Sequence, residues 1–112
     1  MECIFCRIVS GEIESNILYQ DEQVIAFPDI NPAAPVHLLV VPRKHIESVA
    51  DLTAGEEPLM GHVITVANRL ARDAGLSEKG YRLVVNCGPE GGQFVPHLHL
   101  HLLGGRRMGS FG

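Results

Sequence analysis

The sequence predicts a mixed fold of helices and strands, with the strands mostly antiparallel. Three observations predict it. Residues 97–103 alternate strictly as His97-Leu98-His99-Leu100-His101-Leu102 before Leu103, the period of a strand with one apolar and one polar face. Residues 59–74 set Met60, Val63, Ile64, Ala67, Leu70, Ala71 and Ala74 at helical spacing, as on an amphipathic helix. The other apolar runs are short and separated by polar or proline-bearing turns, the pattern of a meander.

Taken in order, residues 3–9 carry apolar side chains at 4, 5, 8 and 9 and predict a short helix ended by Gly11. Residues 16–19 and 23–27 predict two short strands around the polar turn Gln20-Asp21-Glu22. Pro28, Pro32 and Pro35 make 28–35 an extended loop. Residues 36–41 predict a buried strand bounded by prolines. Thr53-Ala54-Gly55-Glu56 has the pattern of a capping box, but Pro58 would break the turns that follow. The start of the long helix therefore stays open between 53 and 58, and Gly75 is its terminator. Residues 81–85 predict a further strand, and the histidine strand comes last.

A chain of 112 residues is one domain, 1–112, and buries roughly two-thirds of its unfolded surface. With 46% apolar and 20% charged residues it falls in the ordinary globular class. A net charge of −4 argues against a general nucleic-acid binder. It does not exclude one bound nucleotide, which needs only a local nest of donors. Met1-Glu2 opens without a basic region, and no apolar run approaches the ~20 residues that span a bilayer. The expectation is a cytoplasmic protein with no membrane partner. Three cysteines without a secretion signal read as reduced thiols.

Half of the six histidines stand in one run, which asks for chemistry near neutral pH, where imidazole titrates. Same-face neighbours on a strand are about 6.6–7 Å apart, so His97 and His101 would lie roughly 13 Å apart at their backbones. Zinc–imidazole bonds are about 2.0–2.1 Å, so one ion is not shared by all three. A central worker, His99, with two helpers fits better. The preceding stretch 86–95 holds Gly88, Gly91 and Gly92, where backbone N–H groups can approach an anion.

His97-Leu98-His99-Leu100-His101-Leu102-Leu103 resembles the motif of the histidine-triad (HIT) family, His-φ-His-φ-His-φ-φ with φ apolar. Cys3-Ile4-Phe5-Cys6, Ala26-Phe27-Pro28-Asp29-Ile30, the stretch from His37 to Ile46, Gly80-Tyr81-Arg82-Leu83-Val84-Val85-Asn86 and Gly91-Gly92-Gln93 match in order. The similarity covers nearly the whole chain and is greatest to the histidine-triad nucleotide-binding branch. It implies an α+β fold with a five-stranded antiparallel sheet and two helices, continued into a ten-stranded sheet across a homodimer. It also implies a hydrolase for purine nucleoside phosphoramidates or related nucleotidyl conjugates, acting through a nucleotidyl-histidine.

In the roles so implied, His99 is the nucleophile. His101 and His97 flank it, stabilising phosphoryl oxygens or moving protons. His37 corresponds to a fourth histidine, although on its own it reads equally as a satisfied half-buried one. Asp29 takes the ribose hydroxyls, and Ile4, Phe5, Ile8, Ile13, Phe27 and Ile30 form the slot for the base. Asn86, Gly92, Gln93, Phe94 and Val95 lie with His99 and His101 around the phosphate. Phe94 departs from the family's usual serine after Gly-Gly-Gln and cannot supply that hydroxyl. Residues 106–112 lack the Trp-Pro-Pro ending common in the branch.

Cys3-x-x-Cys6 supplies two of the four ligands that tetrahedral zinc wants. Relatives complete such a set with histidines at the positions of His45 and His97, which implies one structural zinc per chain and no cofactor for catalysis. A redox pair and two simply packed thiols are the other readings. Two further functions remain beside the phosphoramidase: a regulatory nucleotide-binding dimer with little turnover, and a dinucleoside polyphosphate hydrolase. A metal-storage or sensing module fits least, given the span of the histidines.

Overall fold

The computed structural model describes residues 3–111. The opening Met1-Glu2 read above, and Gly112, lie outside the described residues. The chain forms α1 (Ile4–Ser10), β1 (Tyr19–Gln20), β2 (Val24–Pro28), β3 (Val36–Pro42), α2 (Glu57–Asp73), β4 (Tyr81–Val84) and β5 (Leu100–Gly104). The five strands make one antiparallel sheet in the order β1-β2-β3-β5-β4.

The central strands are covered on both faces, which is why they read as nearly continuous apolar runs. Towards α2 point Val24 and Ala26 of β2, Leu38 and Val40 of β3, and Leu100 and Leu102 of β5. They pack with Val63, Val66, Ala67, Leu70 and Ala71 of the helix. Towards α1 point Ile25, Phe27, Leu39 and Val41, which pack with Cys3 and Phe5. Register then places His37 and His101 on the α1 face, because His37 pairs with Leu103 and Leu39 with His101.

Both helix boundaries have local causes. Cys3 caps α1, its Sγ accepting the Cys6 N–H at 3.4 Å, and Gly11 ends the helix at φ 86°, where a side chain would be strained. The start of α2 resolves the conflict between the capping pattern and Pro58. Residues 54–56 form a 3-10 turn, and the Glu56 carboxylate reaches back to the Thr53 N–H at 2.9 Å. Pro58 then falls in the first turn of α2, where an N–H has no intrahelical partner to lose.

The histidine strand is shorter than its alternation predicts. β5 begins at Leu100, and residues 95–97 bend before it. The His97 N–H turns back to the Val95 carbonyl at 2.8 Å, and the Leu98 N–H donates to the Ile46 carbonyl at 2.6 Å. Leu98, Leu100 and Leu102 are all buried, as expected. The three imidazoles, however, do not share one face. Among the described residues no helix is long and apolar enough to cross a membrane.

Candidate functional site

His97 is fully buried and turns its ring away from the other two histidines. Its Nδ1 lies 3.3 Å from the Cys3 Sγ and 3.6 Å from the Cys6 Sγ, while the Cys6 Sγ lies 3.2 Å from the His45 Nδ1. The four ligand atoms fall within 4.8 Å of one another and could hold a metal ion. The donor chemistry fits. The Pro42 carbonyl, 2.7 Å from the His97 Nε2, can only accept. It therefore fixes the proton on Nε2 and leaves the Nδ1 lone pair facing the sulfurs, as where a ligating histidine gives its other N–H to a carbonyl. Burial also lowers the His97 pKa and keeps the ring neutral, with nearby His45 and His99 acting in the same direction. The His45 Nδ1 faces the Cys6 sulfur, while among the described residues its buried Nε2 has no hydrogen-bond partner. Burial and the adjacent Cys3 push the Cys6 thiol pKa up, the opposite of what a reactive redox pair requires.

The backbone of His97 serves the other site. Its carbonyl accepts from the His99 Nδ1 at 2.7 Å, so in the neutral ring the Nε2 of His99 carries a free lone pair. His99 is held edge-on to Phe5, ring centroids 5.0 Å apart, and Phe5 in turn packs on Phe27 at 5.6 Å. The His97 side chain does not line the pocket that His99 and His101 share. The bend before β5 turns the ring that the alternation set beside His99 towards Cys3, Cys6 and His45 instead.

The His37 tautomer can be read from its partners. The Ala33 backbone N–H donates to the His37 Nδ1 at 2.9 Å, so the proton of the neutral ring sits on Nε2. That N–H donates to the His101 Nδ1 at 2.9 Å, with the Asp29 Oδ2 at 3.4 Å beside it. His101 must then carry its own proton on Nε2. Asp29, His37 and His101 also lie close enough together to hold an ion. Metal binding there would have to displace the His37 Nε2 proton, which the Ala33 bond keeps in place. The trio is better described as a hydrogen-bond chain.

Burial, followed by the neighbouring His99 and His37, lowers the His101 pKa to about 4; Asp29 opposes the shift. His101 is therefore a neutral N–H donor at pH 7.

These groups open into a pocket of about 570 Å³. It is lined by the apolar Phe5, Ile8, Ile13, Phe27 and Leu39, by Asp29, His37, His99 and His101, and by Asn86, Gly92, Phe94 and Val95 of the loop before β5. Ile4, Ile30 and Phe94 line it with substantially exposed side chains. Gln93 does not line the pocket, contrary to expectation. Its Oε1 accepts the Gly88 N–H at 3.0 Å, and its Nε2 donates to the carbonyls of Glu47 (2.7 Å) and Val95 (3.0 Å). With these bonds it pins the loop. A Cβ on Gly91 would overlap the Cys87 carbonyl, so the loop's tight path needs glycine there.

Leu39 is a wall residue that sequence reasoning missed, since on a buried strand nothing distinguishes it from core. The Ala33 N–H and the carbonyls of Pro42 and His97 were also missed, because a backbone group leaves no mark in the sequence.

With this geometry in hand, comparison with known proteins is informative. The HIT domain model matches residues 10–108. The chain is 49% identical to the purine nucleoside phosphoramidase of Escherichia coli strain K12 over 108 residues, 96% of this chain and 91% of that protein. The crystal structure of a HIT family hydrolase from Legionella pneumophila Philadelphia 1 superposes with a TM-score of 0.95 at 47% identity, covering 96% of each chain. A histidine triad protein from Clostridium difficile does so with a TM-score of 0.95 at 45% identity, covering all of this chain and 97% of that one.

The depressed His101 pKa has two measurable consequences. By NMR, the ring of His101 should show no inflection between pH 5.5 and 7.5 and should titrate near pH 4; a midpoint above about 6 would contradict the burial argument. Because the unfolded chain binds this proton more tightly, the contribution to stability is complete above about pH 6.5 and declines as pH falls towards 4.

Proposed function

The chain belongs to the HIT domain family, and on that premise we propose that it hydrolyses purine nucleoside phosphoramidates to an amine and a nucleoside monophosphate. The observation that carries the reading is the His99 ring, with Nδ1–H tied to the His97 carbonyl and the Nε2 lone pair free in the pocket. In the first step Nε2 attacks the phosphorus, the P–N bond breaks, and the amine leaves with a proton taken up from solvent. In the second, water attacks the nucleotidyl-histidine and the P–Nε2 bond breaks. The proton that water loses returns to solvent, and neutral His99 is restored.

His101 directs its Nε2–H at a phosphoryl oxygen and stabilises the charge that builds there. The base enters the apolar slot of Ile4, Phe5, Ile8, Ile13, Phe27 and Ile30. Asp29 takes the ribose hydroxyls; its Oδ1 already accepts the Asn31 N–H at 2.8 Å, and remaining lone pairs accept from the sugar. Asn86, Gly92 and Val95 enclose the phosphate, the Asn86 side chain being set by its bond to the Gly91 carbonyl at 2.8 Å. The 49% identity to a purine nucleoside phosphoramidase supports both the reaction and the purine preference.

The four-residue cluster is assigned to one zinc ion, since two thiolates and two imidazoles are a tetrahedral zinc set. Cys3, Cys6, His45 and His97 would hold it, tying the start of α1 to the bend before β5. The ion's role is structural and no catalytic step passes through it. The proposal includes a homodimer, because β4 is an outer strand whose free edge a second copy can extend.

Three measurements test these assignments. His99→Ala should lower kcat on an adenosine phosphoramidate by roughly 10³-fold or more while AMP still binds; a variant keeping over about a tenth of wild-type kcat excludes His99 as nucleophile. Protein purified without chelator should carry about one zinc per chain, and full metal content in Cys3→Ser/Cys6→Ser would rule out these ligands. Light scattering at micromolar concentration should return the mass of a dimer, and a monomeric mass would reject that part of the proposal.

A further inference from the structure

The chain carries 9 lysines and arginines against 13 acids, yet four of its cations line one cavity. The cavity measures about 930 Å³ and lies where the end of α2, the start of β4 and the end of β5 meet. Gly104 pairs with Val36 on one side and with Tyr81 on the other, which brings these ends together at one edge of the sheet. Lys79 stands just before β4 and Arg82 within it, while Arg106 and Arg107 follow β5. Among the described residues no aspartate or glutamate lines the cavity, and none of its lining is shared with the pocket of His99.

The arginines are oriented without being neutralised. The Arg106 Nη2 donates to the Ala33 carbonyl at 2.9 Å and its Nη1 to the Arg107 carbonyl at 3.1 Å. The Arg82 Nη2 donates to the Gly109 carbonyl at 2.5 Å. A carbonyl fixes a guanidinium but leaves its charge and its other donors in place. Among the described residues none of the four cations is ion-paired with a carboxylate. The carbonyls that end α2 do not supply the counter-charge either. Those of Leu70, Ala71 and Arg72 accept the N–H groups of Ala74, Leu76 and Gly75. Charges of one sign gathered in a cleft focus a field that draws a counter-ion.

We infer that this cavity binds an oligophosphate, a chain of linked phosphate groups carried by a nucleotide or free in solution. Four cations exceed the charge of one phosphate group, and the volume exceeds its size. Three of the four are arginines, whose planar fork takes two phosphate oxygens at once. A concave site suits a small molecule better than the face of an acidic protein. Two copies joined antiparallel through β4 would set their cavities at opposite ends of the joined strands, so the expected stoichiometry is one ligand per chain.

The test is calorimetric titration of the full chain with inorganic tripolyphosphate, at about 0.1 M salt and with excess AMP to fill the pocket of His99. One tripolyphosphate should bind per chain. Arg107→Gln should weaken binding about fivefold or more, and Lys79→Gln/Arg107→Gln further. Arg72→Gln, which removes the same charge outside the cavity, should change it less than about twofold. All three side chains are exposed, so these changes should not disturb folding. Titration with ATP separates the two sources. An affinity no greater than that of tripolyphosphate assigns the site to the phosphate chain alone. Tighter binding assigns it to a nucleotide whose base lies on Val36, Leu76 and Met108. Absence of tripolyphosphate binding overturns the inference. An equal loss in Arg107→Gln and Arg72→Gln also overturns it, since attraction by net charge alone would produce that result.

Discussion

His97 faces two sites with two different groups. Its imidazole closes the cluster with Cys3, Cys6 and His45, and its carbonyl fixes the proton of His99 two residues later. The bend that lets one residue do both is held from outside the strand. The Pro42 carbonyl takes the His97 Nε2–H, and the Ile46 carbonyl takes the Leu98 N–H. Had the alternation of 97–103 continued as strand through His97, its ring would have joined the polar face and its carbonyl the sheet ladder. His99 would then have lacked the acceptor that sets its tautomer. The geometry of the candidate nucleophile therefore depends on a break in the pattern that identifies it.

The sheet makes such a site tolerable. Its α2 face is filled with aliphatic side chains, so the polar groups can be concentrated on the α1 face. There His37 is 8% exposed, a burial that would be costly for an unpaired ring. Each of its nitrogens is matched, Nδ1 by the Ala33 N–H and Nε2 by His101 and Asp29. The chain of donors runs in one direction, from a backbone amide through two neutral rings to an N–H at the pocket. Such a network is rigid only when every member is satisfied. This explains why a loop residue as plain as Ala33 bears on which way His101 points.

Much of this was legible in the residues. The helical spacing of 59–74, the glycine at 11 and the alternation ending at Leu103 located elements whose cores are now seen. The resemblance implied Asp29, His99 and His101 at one site, and all three line one pocket. What could not be read were effects of the third dimension. Pro58 conflicted with the capping pattern until a 3-10 turn separated the cap from α2. Gln93, a ligand contact by resemblance, has its amide bonded to the backbone of Gly88, Glu47 and Val95. His97 read as a face residue because alternation says nothing about where a strand begins.

The charge of the pocket bears on which substrate suits it. Among the described residues its lining holds the carboxylates of Glu14 and Asp29 and no lysine or arginine. His101, held neutral by burial, offers a proton without a positive charge. Anion recognition here thus falls to N–H dipoles, which suit a phosphoryl group of low charge. A polyphosphate chain would bring several negative charges into a low-dielectric cleft beside two carboxylates and without a counter-cation. A phosphoramidate diester-like centre carries only one. Uncharged donors without a counter-cation suit a singly charged phosphoryl centre better than a polyphosphate chain.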